Sequence, residues 1–192
     1  MTKRQAVIID LDGTLASSSW RDMVLSRPHA TDPEWDRSFE LSADDPLVEP
    51  VADFARTAAE NHIDVVIVTG RPERYRAVFT QWLDRHNVPY SALLLRADDD
   101  RRPAWQTKGQ LVQRHVLDRW TVLGAVEDDP KVAGAYAELG IGTTLVSDPN
   151  LFPTGPRLAP SSAYAPPSAP QWLSLDFELQ PPVHRQAQAP AA

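Results

Sequence analysis

Val7-Ile8-Ile9-Asp10-Leu11-Asp12-Gly13-Thr14-Leu15 is the stretch of sequence that decides the fold. Its three consecutive bulky apolar residues predict a strand buried on both faces, because no polar side is left to face water. Two carboxylates one residue apart follow this strand, and ligands in an open α/β sheet lie just beyond the carboxyl ends of the strands. Gly13 allows the backbone to turn sharply and to approach a ligand closely. The stretch therefore predicts a ligand site built on two aspartates.

Short apolar runs alternate with segments of helical periodicity from the N-terminus to about residue 146. The predicted strands are residues 6–9, 63–68, 92–95, 121–126 and 143–146. Such alternation is typical of βαβ units with right-handed crossovers around a parallel sheet. We therefore expect an α/β protein with a Rossmann-like, doubly wound parallel sheet in residues 1–146.

Helical periodicity is clearest at residues 73–87, where apolar side chains recur at spacings of three and four. Three Asp-Pro pairs predict helix starts: Asp32-Pro33, Asp45-Pro46 and Asp129-Pro130. Aspartate accepts hydrogen bonds from the free amides of a first helical turn, and proline is tolerated there because it lacks a donor. This interpretation makes Asp129 a helix cap rather than a metal ligand.

Two segments lie outside the alternating pattern. Residues 16–45 form an insert after the first strand, which is shorter than the roughly 40 residues that usually fold alone and must therefore pack on the main domain. Its aromatic residues, which include Trp35 and Phe39, fit either a lid or a structural flap that shields the sheet end, and the sequence leaves both open. Residues 147–192 hold 10 of the 18 prolines and predict a largely disordered tail with one apolar island at 172–177.

Composition excludes several classes of protein. The chain has no cysteine, which excludes disulfides, thiolate metal sites and thiol nucleophiles. A net charge of −7 argues against nucleic-acid binding by a general basic surface, so any such binding must be local. No apolar run approaches the length of a membrane span, and no signal-peptide region precedes the first strand. We expect a cytoplasmic protein without a membrane partner.

Polar residues follow four of the predicted strands. Asp10 ends the first, Thr69-Gly70-Arg71 follows the second, Arg96 ends the third, and Glu127-Asp128 follows the fourth. The carboxyl ends of parallel strands share one edge, so these groups are expected to converge. Four crowded acids repel one another and need a cation, and oxygen ligands without histidine or cysteine favour Mg²⁺. The metal ligands predicted in this way are Asp10, Asp12, Glu127 and Asp128.

A metal held by few carboxylates is typical of enzymes that act on phosphate, because its remaining positions are left to water and phosphate oxygens. The Thr69 hydroxyl, the Gly70 amide and the cations Arg71 and Lys108 would hold the other phosphate oxygens. Lys131 is an alternative to Lys108, and Thr69 could instead cap the next helix.

The sequence resembles a known family at these residues. Asp10-Leu11-Asp12-Gly13-Thr14 is similar to the first motif of the haloacid dehalogenase-like (HAD) phosphatases, and Thr69, Lys108 and Glu127-Asp128 stand where the second, third and fourth motifs should stand. Within that superfamily the sequence most resembles the 3'-phosphatase domain of phage polynucleotide kinases. The residues that carry this second likeness are Thr69-Gly70-Arg71-Pro72-Glu73, Trp35-Asp36, Phe39, Arg96, Asp100, Arg102-Pro103 and Lys108. Two positions depart from it, since Ala104 replaces an acidic residue and Asp129 stands where a basic residue is frequent.

The resemblance implies a HAD fold with strand order 5-4-1-2-3 and a small cap insert after strand 1. It implies that Asp10 attacks phosphorus and that Asp12 first protonates the leaving oxygen and then takes a proton from water. Asp10, the Asp12 backbone carbonyl and Asp128 would hold Mg²⁺, with Glu127 reaching it directly or through water. Thr69 and Lys108 would bind the phosphoryl oxygens, and Arg96 and Arg102 are candidate contacts to the substrate phosphate.

The leading functional hypothesis is therefore a Mg²⁺-dependent phosphomonoesterase that removes 3'-phosphates from nucleic-acid ends. A nucleotidase or small-molecule phosphatase of the same fold is the alternative. A hypothesis of another class is a non-catalytic binding protein recruited through the proline-rich tail. No Gly-x-x-x-x-Gly-Lys-Ser/Thr loop occurs in this sequence, so the kinase half of a bifunctional end-healing enzyme is absent from it, and a separate kinase partner stays open.

Overall fold

The structure is a computed structural model that describes residues 3–25 and 30–146. Its centre is a sheet of five parallel strands in the order β3-β2-β1-β4-β5. The strands are β1 (Arg4–Ile9), β2 (Asp64–Pro72), β3 (Ala92–Arg96), β4 (Trp120–Glu127) and β5 (Thr143–Leu145). Read from the other edge, this order is 5-4-1-2-3, so the predicted Rossmann-like HAD topology is confirmed.

Five α-helices accompany the sheet in the described part of the chain. They are α1 (Asp32–Leu41), α2 (Glu49–Glu60), α3 (Arg76–Arg85), α4 (Ala104–Leu111) and α5 (Pro130–Glu138). The helix predicted at 73–87 is divided into a 3-10 turn, Glu73–Tyr75, and α3. A π-helical turn, Val112–Val116, continues α4.

Alternate residues of the central strand face opposite sides of the sheet, and both sides are apolar. Val7 and Ile9 belong to a buried cluster with residues of α2 and α3. Ala6 and Ile8 belong to a second cluster with residues of the π-helical turn and α5. All four residues are 0% exposed, as the continuous apolar run predicted.

The three predicted helix starts have different outcomes. Asp129 is confirmed as the cap of α5, because its side chain accepts a hydrogen bond from the Lys131 amide at 2.8 Å. The cap predicted at Asp32 is one residue too late in the sequence, since the N-cap of α1 is Thr31, which forms a capping box with Glu34. The Asp45-Pro46 start is wrong: α2 begins at Glu49, with its own proline in the first turn.

The insert leaves the body of the domain after β1 and returns before α2. Its return is fixed to the body by backbone hydrogen bonds, including Ser17 N to Pro46 O at 2.9 Å. The Trp82 indole of α3 donates to the Asp45 carbonyl at 2.9 Å. The predicted tail at 147–192 and its apolar island at 172–177 lie outside the described residues. No described helix is both long enough and apolar enough to cross a membrane.

Candidate active site

A cleft of about 560 Å³ lies between the carboxyl edge of the sheet and the insert. Its lining includes the five predicted acid–base and metal residues, Asp10, Asp12, Lys108, Glu127 and Asp128. Four predicted substrate residues also line it, namely Gly70, Arg71, Arg96 and Arg102. The parallel sheet thus brings together residues from distant parts of the sequence, because most of them end or follow a strand at the same edge, and α4 adds Lys108 to them.

Asp10 ends β1 as a buried carboxylate, and its two oxygens have different surroundings. Lys108 Nζ donates to Oδ1 at 2.6 Å and also to Glu127 Oε2 at 2.9 Å. Oδ2 is buried and has no hydrogen-bond partner among the described residues. A buried acceptor without a partner costs about 1–3 kcal/mol, so this atom points to a ligand or to chemistry.

Burial and mutual charge shift the pKa values of Asp10, Glu127 and Lys108. Burial raises the pKa of Asp10 to about 6, with Asp128 and Asp12 adding to the effect and Lys108 opposing it. Burial and the Asp10 charge raise the pKa of Glu127 well above its usual value. Burial opposes the charge of Lys108, but Asp10 and Glu127 outweigh it and raise the Lys108 pKa. The cation is therefore firmly protonated between two acids.

Three carboxylates form the group that could hold a divalent metal. Oxygens of Asp10, Glu127 and Asp128 lie within 4.8 Å of one another. An all-oxygen donor set and the unpartnered Asp10 Oδ2 fit a hard cation such as Mg²⁺. Gly13 permits this approach: its φ is +80°, and a Cβ there would lie 2.2 Å from Asp128 Oδ2.

The Asp12 side chain lies outside the metal group, where it is half-buried and pairs with two buried arginines. Arg71 donates to both Asp12 oxygens, and Arg21 Nη2 donates to Oδ1 at 2.6 Å. Burial would raise the pKa of Asp12, but the two arginines overcome it and lower that pKa to about 2. Only its backbone carbonyl remains a candidate metal ligand, as the family resemblance implies.

Asp45 completes this network from the end of the insert. Its carboxylate is 0% exposed and accepts from Arg21 Nε and Nη2, both at 2.7 Å, and from Arg71 Nη2 at 3.1 Å. Two acids and two arginines therefore neutralise each other beside the cleft. The sequence reasoning missed Asp45 as a site residue and gave Arg21 no role. The signal against a helix start at Asp45 was Glu49-Pro50, a second acid–proline pair four residues later.

Arg71 was predicted to hold phosphate, but its side chain is engaged by Asp12 and Asp45. Thr69 is 0% exposed within β2, and its hydroxyl accepts from the Arg71 amide at 3.2 Å. The alternative in which Thr69 caps the next helix is wrong, because Pro72 is the N-cap residue of that turn. Lys131 is exposed, and its backbone amide is bound by Asp129, so Lys108 is the lysine at the acidic group.

Arg96 and Arg102 have unequal surroundings. Arg102 is paired with Asp100 at 2.7 Å, and its hydrogen bonds hold the pKa of Asp100 well below the usual range. Arg96 donates only to backbone carbonyls, those of residues 100 and 102, and its Nε is buried without a partner. No described carboxylate forms a salt bridge with Arg96. Since arginine stays protonated in proteins, Arg96 is a positive charge in the cleft that has no ion-pair partner among the described residues.

The sheet order and the set of residues at its edge define a phosphatase of the HAD superfamily. Residues 4–151 match the family model described as the polynucleotide kinase PNKP phosphatase domain, and the chain belongs to that family. It is therefore a hydrolase, and HAD phosphatases generally use a divalent metal. No curated protein sequence matches this chain.

Solved structures agree with this assignment. A chain of the Pnkp1/Rnl/Hen1 complex matches with a TM-score of 0.63 and 26% identity, covering 75% of this chain and 46% of that chain. A structure of the Pnkp1/Rnl/Hen1 RNA repair complex matches with a TM-score of 0.63 and 25% identity, covering 75% and 42%. This chain thus spans less than half the length of either relative. The class C acid phosphatase from Bacillus anthracis, at 16% identity and a TM-score of 0.55, covers 78% of this chain and 68% of its own, and shows the fold alone.

Proposed function

We propose that this phosphatase removes 3'-phosphates from nucleic-acid ends, as a Mg²⁺-dependent phosphomonoesterase with an aspartyl-phosphate intermediate on Asp10. The observation that carries the chemistry is the division of Asp10, whose Oδ1 is held by Lys108 while Oδ2 is buried without a partner. A carboxylate that a lysine orients at one oxygen, with its second oxygen left for Mg²⁺, is arranged for nucleophilic attack.

In the first step an Asp10 oxygen forms a bond to phosphorus and the ester oxygen leaves with a proton from Asp12. In the second step water attacks the same phosphorus, Asp12 takes the water's proton, and Asp10 is released with inorganic phosphate. Lys108 keeps Asp10 charged before attack and binds a phosphoryl oxygen during it, and Thr69 holds another. Dividing the reaction in this way gives the two aspartates separate tasks.

The arginine network favours the charged form of Asp12, which is the form that accepts a proton from water. Asp12 must therefore take up a proton from solvent when the substrate binds, before it can protonate the leaving oxygen. A phosphoryl group competes for guanidinium N–H donors, since arginine binds phosphate as readily as carboxylate. Arg71 would then serve both partners in turn, which reconciles its predicted phosphate contact with its observed contact to Asp12.

Mg²⁺ would be held by Asp10, Asp128 and the Asp12 carbonyl, with Glu127 direct or through water. When bound, it polarises the phosphoryl oxygens and neutralises charge that develops on them. The three clustered carboxylates support this proposal, because they would otherwise repel one another.

The choice of a 3'-phosphate substrate rests on family membership and on Arg96. The PNKP phosphatase family model covers the whole described domain, and the relatives at 25–26% identity include an RNA repair complex. Arg96 supplies a cation without an ion-pair partner in the described part of the chain, and it lies near Gly70, where a Cβ would lie 3.2 Å from its Nη2. A cation at this position can bind a phosphodiester of the nucleic-acid strand next to the terminal phosphate. A separate kinase as partner stays a prediction.

The test is a substrate panel with Mg²⁺ and with EDTA. It compares a 3'-phosphorylated oligonucleotide, 3'- and 5'-mononucleotides and a simple sugar phosphate, using wild type, Asp10→Asn and the surface control Asp53→Asn. We expect turnover to need Mg²⁺, to favour the oligonucleotide, to vanish in Asp10→Asn and to persist in Asp53→Asn. Rates that favour mononucleotides would replace the proposed substrate by the nucleotidase alternative.

A further inference from the structure

Two aromatic rings of the insert face the cleft from α1. Trp35 and Phe39 both line the cleft, and their ring centroids lie 5.8 Å apart at 27°, which is a stacked arrangement. They stand four residues apart on one helix, a spacing that places side chains on the same face. The insert therefore contributes an aromatic surface to an otherwise charged cleft.

The two rings have different surroundings. Phe39 contacts Tyr75 with centroids 5.3 Å apart, and Tyr75 packs against the core cluster that contains α3. Shielding of the sheet end is therefore done by Phe39 and Tyr75. Trp35 is 36% exposed although it is the largest side chain of α1. An exposed indole in a cleft is more than a flap needs to cover apolar surface.

Two exposed ion pairs connect α1 to the body of the domain. Asp36 is paired with Arg74 at 2.5 Å, and Asp32 is paired with Arg101 at 3.2 Å. Both arginines belong to the body of the domain: Arg74 precedes β3 in the sequence, and Arg101 follows it. Trp35 lies between the two aspartates in the sequence, so both ion pairs connect its part of α1 to the body of the domain.

Charge is unevenly distributed along the cleft. Asp32 and Asp36 of α1 are both paired with arginines, so the surface around Trp35 is close to neutral, whereas Arg96 at the end of β3 has no ion-pair partner among the described residues. A nucleotide in this cleft would turn its phosphates toward Arg96 and its uncharged base toward α1. Every base offers a π-face, so an aromatic ring binds it without regard to sequence.

We propose that Trp35, supported by Phe39, is the stacking platform for the nucleobase of the 3'-terminal nucleotide. The proposal rests on the proposed function and extends it, because it assigns the base a site on the insert while the terminal phosphate reacts at Asp10. Under this proposal Trp35 binds substrate, while Phe39 both supports it and shields the sheet end.

The test compares two 3'-phosphorylated oligonucleotides that differ only at the terminal nucleotide, which carries a base in one and is abasic in the other. The variants are Trp35→Leu, which keeps an apolar side chain, and Trp35→Phe, which keeps a π-face. Trp105→Leu is the matched control, since Trp105 is 38% exposed on α4 and does not line the cleft.

We expect Trp35→Leu to lose about tenfold in kcat/KM on the base-bearing substrate, mostly through KM, which is the order of one lost base–aromatic stack. Its activity on the abasic substrate should equal that of wild type, and Trp35→Phe should retain most of the preference for the base. Trp105→Leu should match wild type on both substrates. Equal losses on both substrates, or no loss on either, would overturn the stacking site while leaving the phosphatase function intact. Wild-type enzyme that cleaves simple phosphate esters but neither oligonucleotide would overturn both proposals.

Discussion

Asp10 and Asp12 are separated by one residue, yet the structure gives their carboxylates opposite electrostatic surroundings. Burial raises the pKa of Asp10 to about 6, whereas Arg71 and Arg21 lower that of Asp12 to about 2. The strand end explains the difference, because Asp10 points to Lys108 and the acidic group while Asp12 points to the insert. Two identical side chains can therefore take two roles in one reaction.

Lys108 should be essential, and Lys131 should not. We expect Lys108→Met to lower kcat by about 10²–10³-fold, the usual cost of removing a donor that stabilises transition-state charge. Lys131→Met should keep wild-type kcat, because Lys131 is exposed and only its backbone amide joins the Asp129 cap. Steady-state kinetics on a 3'-phosphorylated oligonucleotide measure both variants. Equal damage from the two substitutions would show that the lysine has been misassigned.

Asp45 should stabilise the domain through two buried arginines. We expect Asp45→Asn to lower the free energy of unfolding by about 3–5 kcal/mol, since it leaves buried charge without its partner. The matched control is Asp53→Asn, whose exposed pair with Arg56 should contribute no more than about 1 kcal/mol. Urea unfolding of the two variants gives the comparison. If Asp45→Asn were as stable as the control, the network would have no structural role.

At the scale of elements, the junction of β4 and α5 gives three consecutive acids three tasks. Glu127 ends the strand and is 0% exposed against Lys108, and Asp128 lies exposed at the mouth of the cleft. Asp129 turns its side chain back to cap α5. The change from extended to helical backbone points successive side chains in different directions, so neighbours in sequence do not share a function.

This junction predicts separable effects of substitutions at Asp128 and at Asp129. Asp128→Asn should weaken Mg²⁺ binding strongly, whereas Asp129→Asn should leave it unchanged and keep the cap. Asp129→Ala should lower the free energy of unfolding by about 1 kcal/mol, the usual cost of losing an N-cap. Isothermal titration calorimetry measures the Mg²⁺ affinity, and urea unfolding measures the free energy of unfolding. Loss of Mg²⁺ affinity in Asp129→Asn would place Asp129 among the metal ligands.

The elements also show what the sequence could and could not predict. The strands were found because burial on both faces leaves a local apolar run, and the α5 cap because Asp129-Pro130 acts within one turn. Asp45 was misread because its partners, Arg21 and Arg71, are distant in sequence, and local capping rules do not see such pairs. The length of β2 was underestimated for a similar reason, since residues after Val68 are held by an irregular pairing with β3.

At the scale of the whole molecule, the insert is joined to the catalytic aspartates by charge. Arg21 reaches from the insert to Asp12, and Asp45 at its return binds the same arginine. Further pairs, Arg74 with Asp36 and Arg101 with Asp32, link α1 to the body. The insert therefore completes the site instead of only covering it. The division into a domain, an insert at 16–45 and a tail at 147–192 stays a prediction.

The tail should be dispensable for catalysis. The described site residues all lie between 10 and 128, and the family match ends at residue 151. We expect a chain of residues 1–151 to keep the kcat, KM and thermal unfolding temperature of the full chain. The measurement is a parallel assay of the two proteins at equal concentration. A large fall in activity without loss of fold would assign residues 152–192 a part in substrate binding.

Covalent phosphorylation of Asp10 can be tested by trapping the intermediate. Enzyme turning over a 3'-phosphorylated oligonucleotide with Mg²⁺ is quenched and reduced with borohydride, which converts an aspartyl-phosphate into homoserine. We expect homoserine at position 10 by peptide mass spectrometry, and none at position 12 or in Asp10→Asn. Full turnover by Asp10→Asn, or trapping at another residue, would show that Asp10 is not the nucleophile.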